Sequence, residues 1–161
     1  MCGISGAYGS GGIGIELMQQ RVGAMSSAIR HRGPDDAGVW RSSDNSVWLA
    51  HQRLAIQDLS QLGHQPMVSG SGRYVIVFNG EIYNFKRLSA ELEQFGAVFH
   101  GHSDTEVMLA AFEHWGVEQS LSRFDGMFAF AVYDCLEKDL WLARDRMGEK
   151  PLYYALISGC L

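Results

Sequence analysis

The 161-residue chain is poor in cysteine, carries no long apolar run and has no excess of positive charge. Its three cysteines, Cys2, Cys135 and Cys160, are odd in number and widely spaced. That suits a reducing compartment better than a disulfide framework. No apolar run approaches the ~18 residues of a membrane span. No basic region leads into an apolar stretch at the start, so the sequence reads as lacking a secretory signal, and a cytoplasmic location is expected. Thirteen Lys and Arg against eighteen Asp and Glu give a net charge of −5, which argues against a nucleic acid or an anionic membrane as partner. Charge runs, low-complexity tracts and internal repeats are also missing. What remains is an ordinary globular composition, 47% hydrophobic and 19% charged, in a chain the length of one domain and able to bury a core.

Short apolar runs alternate with turn signals. Cys2–Tyr8 reads as a strand that stops at the glycine cluster of residues 9–14. That cluster lacks the Lys-Ser/Thr ending of a phosphate-binding loop, so a turn is the reading. Leu17, Met18, Val22, Met25, Ala28 and Ile29 recur at helical spacing and predict an amphipathic helix over 15–29. His31-Arg32-Gly33-Pro34-Asp35-Asp36 ends it. Strands are expected at 37–40 and 47–51, and a buried one at 74–78 closed by Asn79-Gly80. A helix is expected at 88–95. Another begins at Ser103-Asp104-Thr105-Glu106, which has capping-box spacing. A hairpin over 127–133 and 140–143 follows, then a last short strand at 152–154. Trp40, Trp48, Trp115 and Trp141 read as core. Strands in hairpin-like succession with a few helices between them give an α+β architecture of largely antiparallel sheets, not a Rossmann-type fold.

The chain opens Met1-Cys2-Gly3-Ile4. Removal of Met1 would leave Cys2 with a free α-amino group on the same Cα as its thiol. An α-amino group titrates near ~7.7–8.0, so it can take a proton at neutral pH. The thiolate is the reactive form of cysteine, and a neighbouring base raises its share. A cysteine attacking an amide also needs donors for the developing oxyanion and charges that hold the substrate. Asn79 offers side-chain N–H groups, and Gly80 permits close approach of its own N–H; the same dipeptide also suits a hairpin turn. Arg53 could grip a carboxylate with two parallel hydrogen bonds, or be a solvated surface residue. Asp104 could hold an ammonium group, or simply complement a helix dipole. Glu81 adds a third charge at the same strand end. The six histidines lack a cluster with metal-ligand spacing, so no metal is expected.

Taken together, these segments resemble the glutaminase domain of class II glutamine amidotransferases, among the N-terminal-nucleophile hydrolases, and within them the asparagine synthetase type. The resemblance spans all 161 residues. It rests on Met1-Cys2-Gly3-Ile4, Arg30-His31-Arg32-Gly33-Pro34-Asp35, His51-Gln52-Arg53-Leu54-Ala55-Ile56 and Phe78-Asn79-Gly80-Glu81-Ile82-Tyr83-Asn84. It continues through Ser103-Asp104-Thr105-Glu106, Phe124-Asp125-Gly126-Met127-Phe128-Ala129, Ala143-Arg144-Asp145-Arg146 and Lys150-Pro151-Leu152-Tyr153-Tyr154. It implies a four-layer αββα sandwich of two antiparallel sheets. It also implies hydrolysis of L-glutamine to glutamate and ammonia, with Cys2 as nucleophile and its own amine as base. Asn79 and Gly80 match the oxyanion hole, and Arg53 the carboxylate grip. Glu81 and Asp104 match the acidic groups at the amino end, and the main chain of Leu54, Ile56 and Gln57 matches a segment that lines the glutamine pocket. Gln57 stands where the family commonly has an apolar residue, so altered pocket packing is expected. No cofactor is implied for this half-reaction. ATP and Mg are implied only in a C-terminal synthetase domain, which this chain lacks and which would be its partner; a homodimer is also allowed. Two alternatives stay open: a relative with another acceptor, such as a sugar acid or peptide carboxylate, or a silent scaffold if Met1 is retained.

Overall fold

The computed structural model describes residues 2–9, 13–55, 60–157 and 160–161. Met1, residues 10–12 of the glycine cluster, and Ile56 and Gln57 lie outside the described residues. In chain order the elements are β1 (Gly3–Tyr8), α1 (Ile15–Ala28), β2 (Asp36–Arg41), β3 (Val47–Arg53), β4 (Met67–Val68) and β5 (Tyr74–Ile82). They continue with α2 (Phe85–Gln94), α3 (Asp104–Trp115), α4 (Val117–Arg123), β6 (Gly126–Asp134) and β7 (Asp139–Arg144).

Two antiparallel sheets form, ordered β1-β3-β2 and β4-β5-β6-β7. Strand periodicity explains how they stack, because successive side chains point to opposite faces. Along β3, Val47 and Leu49 meet Val75 and Val77 of β5 and Tyr133 of β6 between the sheets. The intervening Trp48 and Ala50 face outward and are covered by Met18 and Val22 of α1. Along β5, Tyr74, Ile76 and Phe78 face away from the first sheet and pack under Leu88 and Leu92 of α2 and Met108 and Phe112 of α3. The layers are therefore α1, sheet, sheet and α2–α4, the αββα sandwich expected from the resemblance.

Several local expectations need correction. The strand predicted to end at Phe78 runs on to Ile82. Asn79 and Gly80 sit within it, facing Ala129 and Phe128 of β6, so they are not a hairpin turn. The strand expected at 152–154 is absent: Tyr153 and Tyr154 are 90% and 73% exposed and have no strand beside them, so their β-propensity goes unused. Trp48 is buried as expected, but Trp141 is exposed. The short β4 and α4 carried no clear pattern. The capping box forms in part. Ser103 accepts from the Glu106 N–H at 3.3 Å, while Glu106 turns its carboxylate to the N–H groups of His100 and Gly101.

Phe112 is the hub of the larger core, its ring lying 5.7–5.9 Å from those of Tyr74, Phe124 and Phe130. Truncation there leaves a cavity walled by three rings that cannot collapse into it. We expect Phe112→Ala to lower unfolding stability by about 3–5 kcal/mol, read as a reduced urea midpoint with an unchanged slope.

Candidate active site

The site grows from the edge of β5. Its partner β4 is only two residues long and pairs with Val75 and Ile76, so among the described residues the strand has no paired neighbour on that side beyond Ile76. In an antiparallel ladder, alternate residues point their N–H and C=O groups toward opposite neighbours. The parity of β5 follows from Phe128. Its N–H donates to Asp145 Oδ2 at 3.1 Å, and its C=O accepts from Asp145 N–H at 2.8 Å. Phe128 therefore has nothing left for Gly80 opposite, and the N–H groups of Phe78, Gly80 and Ile82 all point away from β6.

Side chains meet two of these three groups. Phe78 N–H donates to Gln65 Oε1 at 2.7 Å, and Ile82 N–H donates to Asp104 Oδ2 at 2.9 Å. Gly80 N–H, between them, finds no acceptor among the described residues. Only glycine fits there, since a Cβ would lie 2.3 Å from Met127 O. Asn79 has the opposite parity and faces the first sheet. Its side chain, on a residue 5% exposed, makes no hydrogen bond to a described residue.

Across the cleft, β1 and β3 bring up the thiol and the guanidinium. Gly3 faces Gln52, so Cys2 arrives beside the end of β3. Its Sγ is held by the main chain of Leu54, 3.4 Å from the N–H and 3.7 Å from the C=O. Arg53 is buried and donates from Nη1 to Ser60 O at 2.9 Å. Gly63 lets that guanidinium lie close, because a Cβ at residue 63 would stand 2.1 Å from Nη2.

Two titrating groups here are displaced by burial. Asp104, 5% exposed, is pushed up to about 6, with neighbouring Glu81 adding to the rise and the Ile82 N–H opposing it. Burial pushes His51 down to about 4. Its Nε2 lies 3.0 Å from Phe78 O, which can only accept, so the proton sits on Nε2. Nδ1 is buried without a partner among the described residues. No group of three or more His, Cys, Asp or Glu among the described residues could hold a metal ion.

The structure thus brings Cys2, Arg53, Leu54, Asn79, Gly80, Glu81 and Asp104 to one cleft of about 130 Å³. Ile56 and Gln57 lie outside the described residues. The cleft also takes Gln65, Thr105 and Lys150, which the sequence reading did not single out for a pocket. Lys150 lies in the segment Lys150-Pro151-Leu152-Tyr153-Tyr154, but Gln65 belongs to no motif and becomes visible only through its bond to β5. No helix among the described residues is long and apolar enough to cross a membrane.

Comparison with known proteins shows the family. The profile of the glutamine amidotransferase domain matches residues 1–160. Asparagine synthetase B [glutamine-hydrolyzing] of Escherichia coli K12 is 42% identical over 95% of the chain, which spans 26% of that protein. Asparagine synthetase [glutamine-hydrolyzing] 1 of Bacillus subtilis is 40% identical over 98% of the chain, which spans 24% of that protein. The chain thus spans about a quarter of the length of these relatives. In fold it superposes on the glutamine phosphoribosylpyrophosphate amidotransferase of B. subtilis with a TM-score of 0.81, at 21% identity, covering 99% of this chain and 40% of that one. A thiol at the head of the first strand, an open rung on β5 and a profile match over nearly every residue agree, and the chain belongs to the glutamine amidotransferase domain family.

Proposed function

We propose that this domain hydrolyses L-glutamine to glutamate and ammonia through a thioester on Cys2. The observation that carries the reading is the meeting in one cleft of a thiol fixed by Leu54, an unengaged Asn79 amide and an outward Gly80 N–H. With Met1 removed, the α-amino group of Cys2 takes the thiol proton, and the thiolate attacks the side-chain amide carbon of glutamine. Two donors, Asn79 Nδ2 and Gly80 N–H, stabilise the oxyanion. The protonated amine then passes its proton to the departing ammonia as the C–N bond breaks. Water attacks the thioester, with the amine again as base, releasing glutamate and restoring the thiol. Each oxyanion donor of this kind contributes about 3 kcal/mol in the transition state. The main chain of Leu54 lines the pocket beside the nucleophile, while Ile56 and Gln57, outside the described residues, are assigned to the glutamine pocket by the family resemblance alone.

A free amino acid is recognised at both its charged ends. Arg53 is the cation offered to the α-carboxylate; Asp104 and Glu81 are the anions offered to the α-ammonium. No metal or organic cofactor enters these steps. The ammonia acceptor would be bound by the remainder of a longer protein, a synthetase portion of the kind its relatives' names give, and ATP and Mg are expected only there. The exposed apolar side chains Met147, Tyr153, Tyr154, Leu156 and Ile157 suit such a neighbour.

Intact mass before and after treatment with a glutamine-mimicking electrophile tests the nucleophile. We expect loss of Met1 and a single adduct on Cys2, with Cys2→Ala taking no adduct and releasing no ammonia while its thermal midpoint stays put. Ammonia release by Cys2→Ala would remove Cys2 from the reaction.

Asp104 gives a second expectation, with opposite signs for binding and stability. The ammonium of glutamine needs the ionised carboxylate, so KM should rise as pH falls below about 6. Asp104→Asn keeps an acceptor for Ile82 N–H but loses the charge. Its KM should rise roughly 10- to 100-fold, the loss of a charge-assisted bond of about 1.5–3 kcal/mol, and the acid limb of KM should flatten. Because the folded carboxyl titrates above its ordinary value, the folded state binds the proton more tightly than the unfolded chain. Stability from this residue therefore falls as pH rises from about 4 through about 6. At pH 7–8 the Asn variant should melt above the parent protein, and a lower midpoint would count against the burial argument.

A further inference from the structure

Phe78 immediately precedes Asn79-Gly80 and stands on the stretch of β5 that β4 leaves uncovered. Both of its main-chain groups point to that side, and two buried side chains meet them. Gln65 Oε1 accepts from the Phe78 N–H at 2.7 Å, and His51 Nε2–H donates to the Phe78 C=O at 3.0 Å. His51 comes from β3 of the other sheet, while Gln65 comes from the loop before β4. Gln65 continues the chain of bonds, donating from Nε2 to Thr105 Oγ1 at 3.2 Å beside Asp104 at the start of α3. His51 is fully buried, Gln65 is 6% exposed and Thr105 is 2% exposed.

We propose that His51 and Gln65 are positioning residues that stand in for a missing strand at Phe78 and so fix the aim of Asn79 and Gly80. A real strand here would supply the same two bonds to Phe78, but its next rung would also occupy the Gly80 N–H. Two side chains satisfy Phe78 alone and end there, which leaves Gly80 open to a guest. They also tie β5 to β3, which leads to Cys2 through the β1–β3 ladder, and to α3, which carries Asp104. The spacing between nucleophile, oxyanion donors and carboxylate is thus set by hydrogen bonds rather than by packing alone. Neither residue has a role in binding the charged ends of glutamine. The inference rests on the glutaminase reading above and deepens it.

The test is steady-state kinetics of ammonia release for His51→Leu, His51→Gln, Gln65→Leu and Thr105→Val. In parallel, the rate of Cys2 alkylation is measured with iodoacetamide, a displacement that develops no oxyanion. Small misplacements of catalytic groups cost up to roughly a hundredfold in rate. We expect His51→Leu and Gln65→Leu to lower kcat by roughly tenfold to a hundredfold. KM should stay within about threefold and the alkylation rate within about twofold, since neither charge grip nor thiol is touched. His51→Gln restores a donor and should recover most of kcat. Thr105→Val is isosteric and frees only the far end of Gln65; a several-fold loss in kcat is expected, and it carries the test if a leucine variant does not fold. Unchanged kcat in the folded variants would overturn the proposal, as would a parallel fall of kcat and alkylation rate, which marks general disruption. Parent protein that releases no ammonia would instead overturn the glutaminase reading itself, and this inference with it.

Discussion

The shortness of β4 is the constraint from which the site follows. A sheet edge inside a folded protein presents main-chain groups that must be paired or solvated. Because β4 pairs with only Val75 and Ile76, the next three outward rungs of β5, at Phe78, Gly80 and Ile82, need other partners. The fold gives Phe78 to Gln65 and His51, and gives Ile82 to Asp104. Gly80 is the remaining rung, and it opens into the cleft that holds the Cys2 thiol. The proposed oxyanion site is thus a gap in a hydrogen-bond ladder, held open by what fills the gaps on either side. Such preorganisation requires no reorientation of donors when charge develops.

The same arrangement explains why the site is a place of tension for stability. Asp104 is buried against its preference for water, and its carboxyl is pushed up to about 6 in consequence. His51 is buried with one ring nitrogen unpartnered. Neither is what a sequence optimised only for folding would place there. Each has a reason once the cleft is considered. On the proposed glutaminase reading, Asp104 is a poorly solvated anion offered to an ammonium group, and His51 is a donor that cannot be drawn off into water.

The layers of the fold were legible in the sequence because the pattern that reveals them is the one that builds them. Val47, Leu49, Trp48 and Ala50 alternate as a strand covered on both faces must. The helix over 15–29 and the start of α3 at Ser103 follow from periodicity and capping. Asn79-Gly80 was ambiguous, since a tight turn and an oxyanion pair ask for the same residues. The turn is excluded only by the register against Ala129 and Phe128, a contact about fifty residues away in sequence. Cys2, Arg53 and Asp104 were legible as chemistry but not as neighbours. Gln65 was not legible at all, because an amide that caps one strand rung leaves no local pattern. Tyr153 and Tyr154 misled for the opposite reason: they have strand propensity, and no strand lies beside them.

The occupied edge of β5 also has a bearing on how the molecule behaves in a crowd. An unpaired strand edge is an invitation to another chain, which can add itself rung by rung and seed aggregation. Here, beyond β4, the rungs on either side of Gly80 are already held by the protein's own side chains, so an incoming strand would find one free N–H where it needs a row of them. The device that leaves room for a small molecule at residue 80 thereby refuses a polypeptide, and the domain can keep a reactive cleft open to solvent without keeping an adhesive edge.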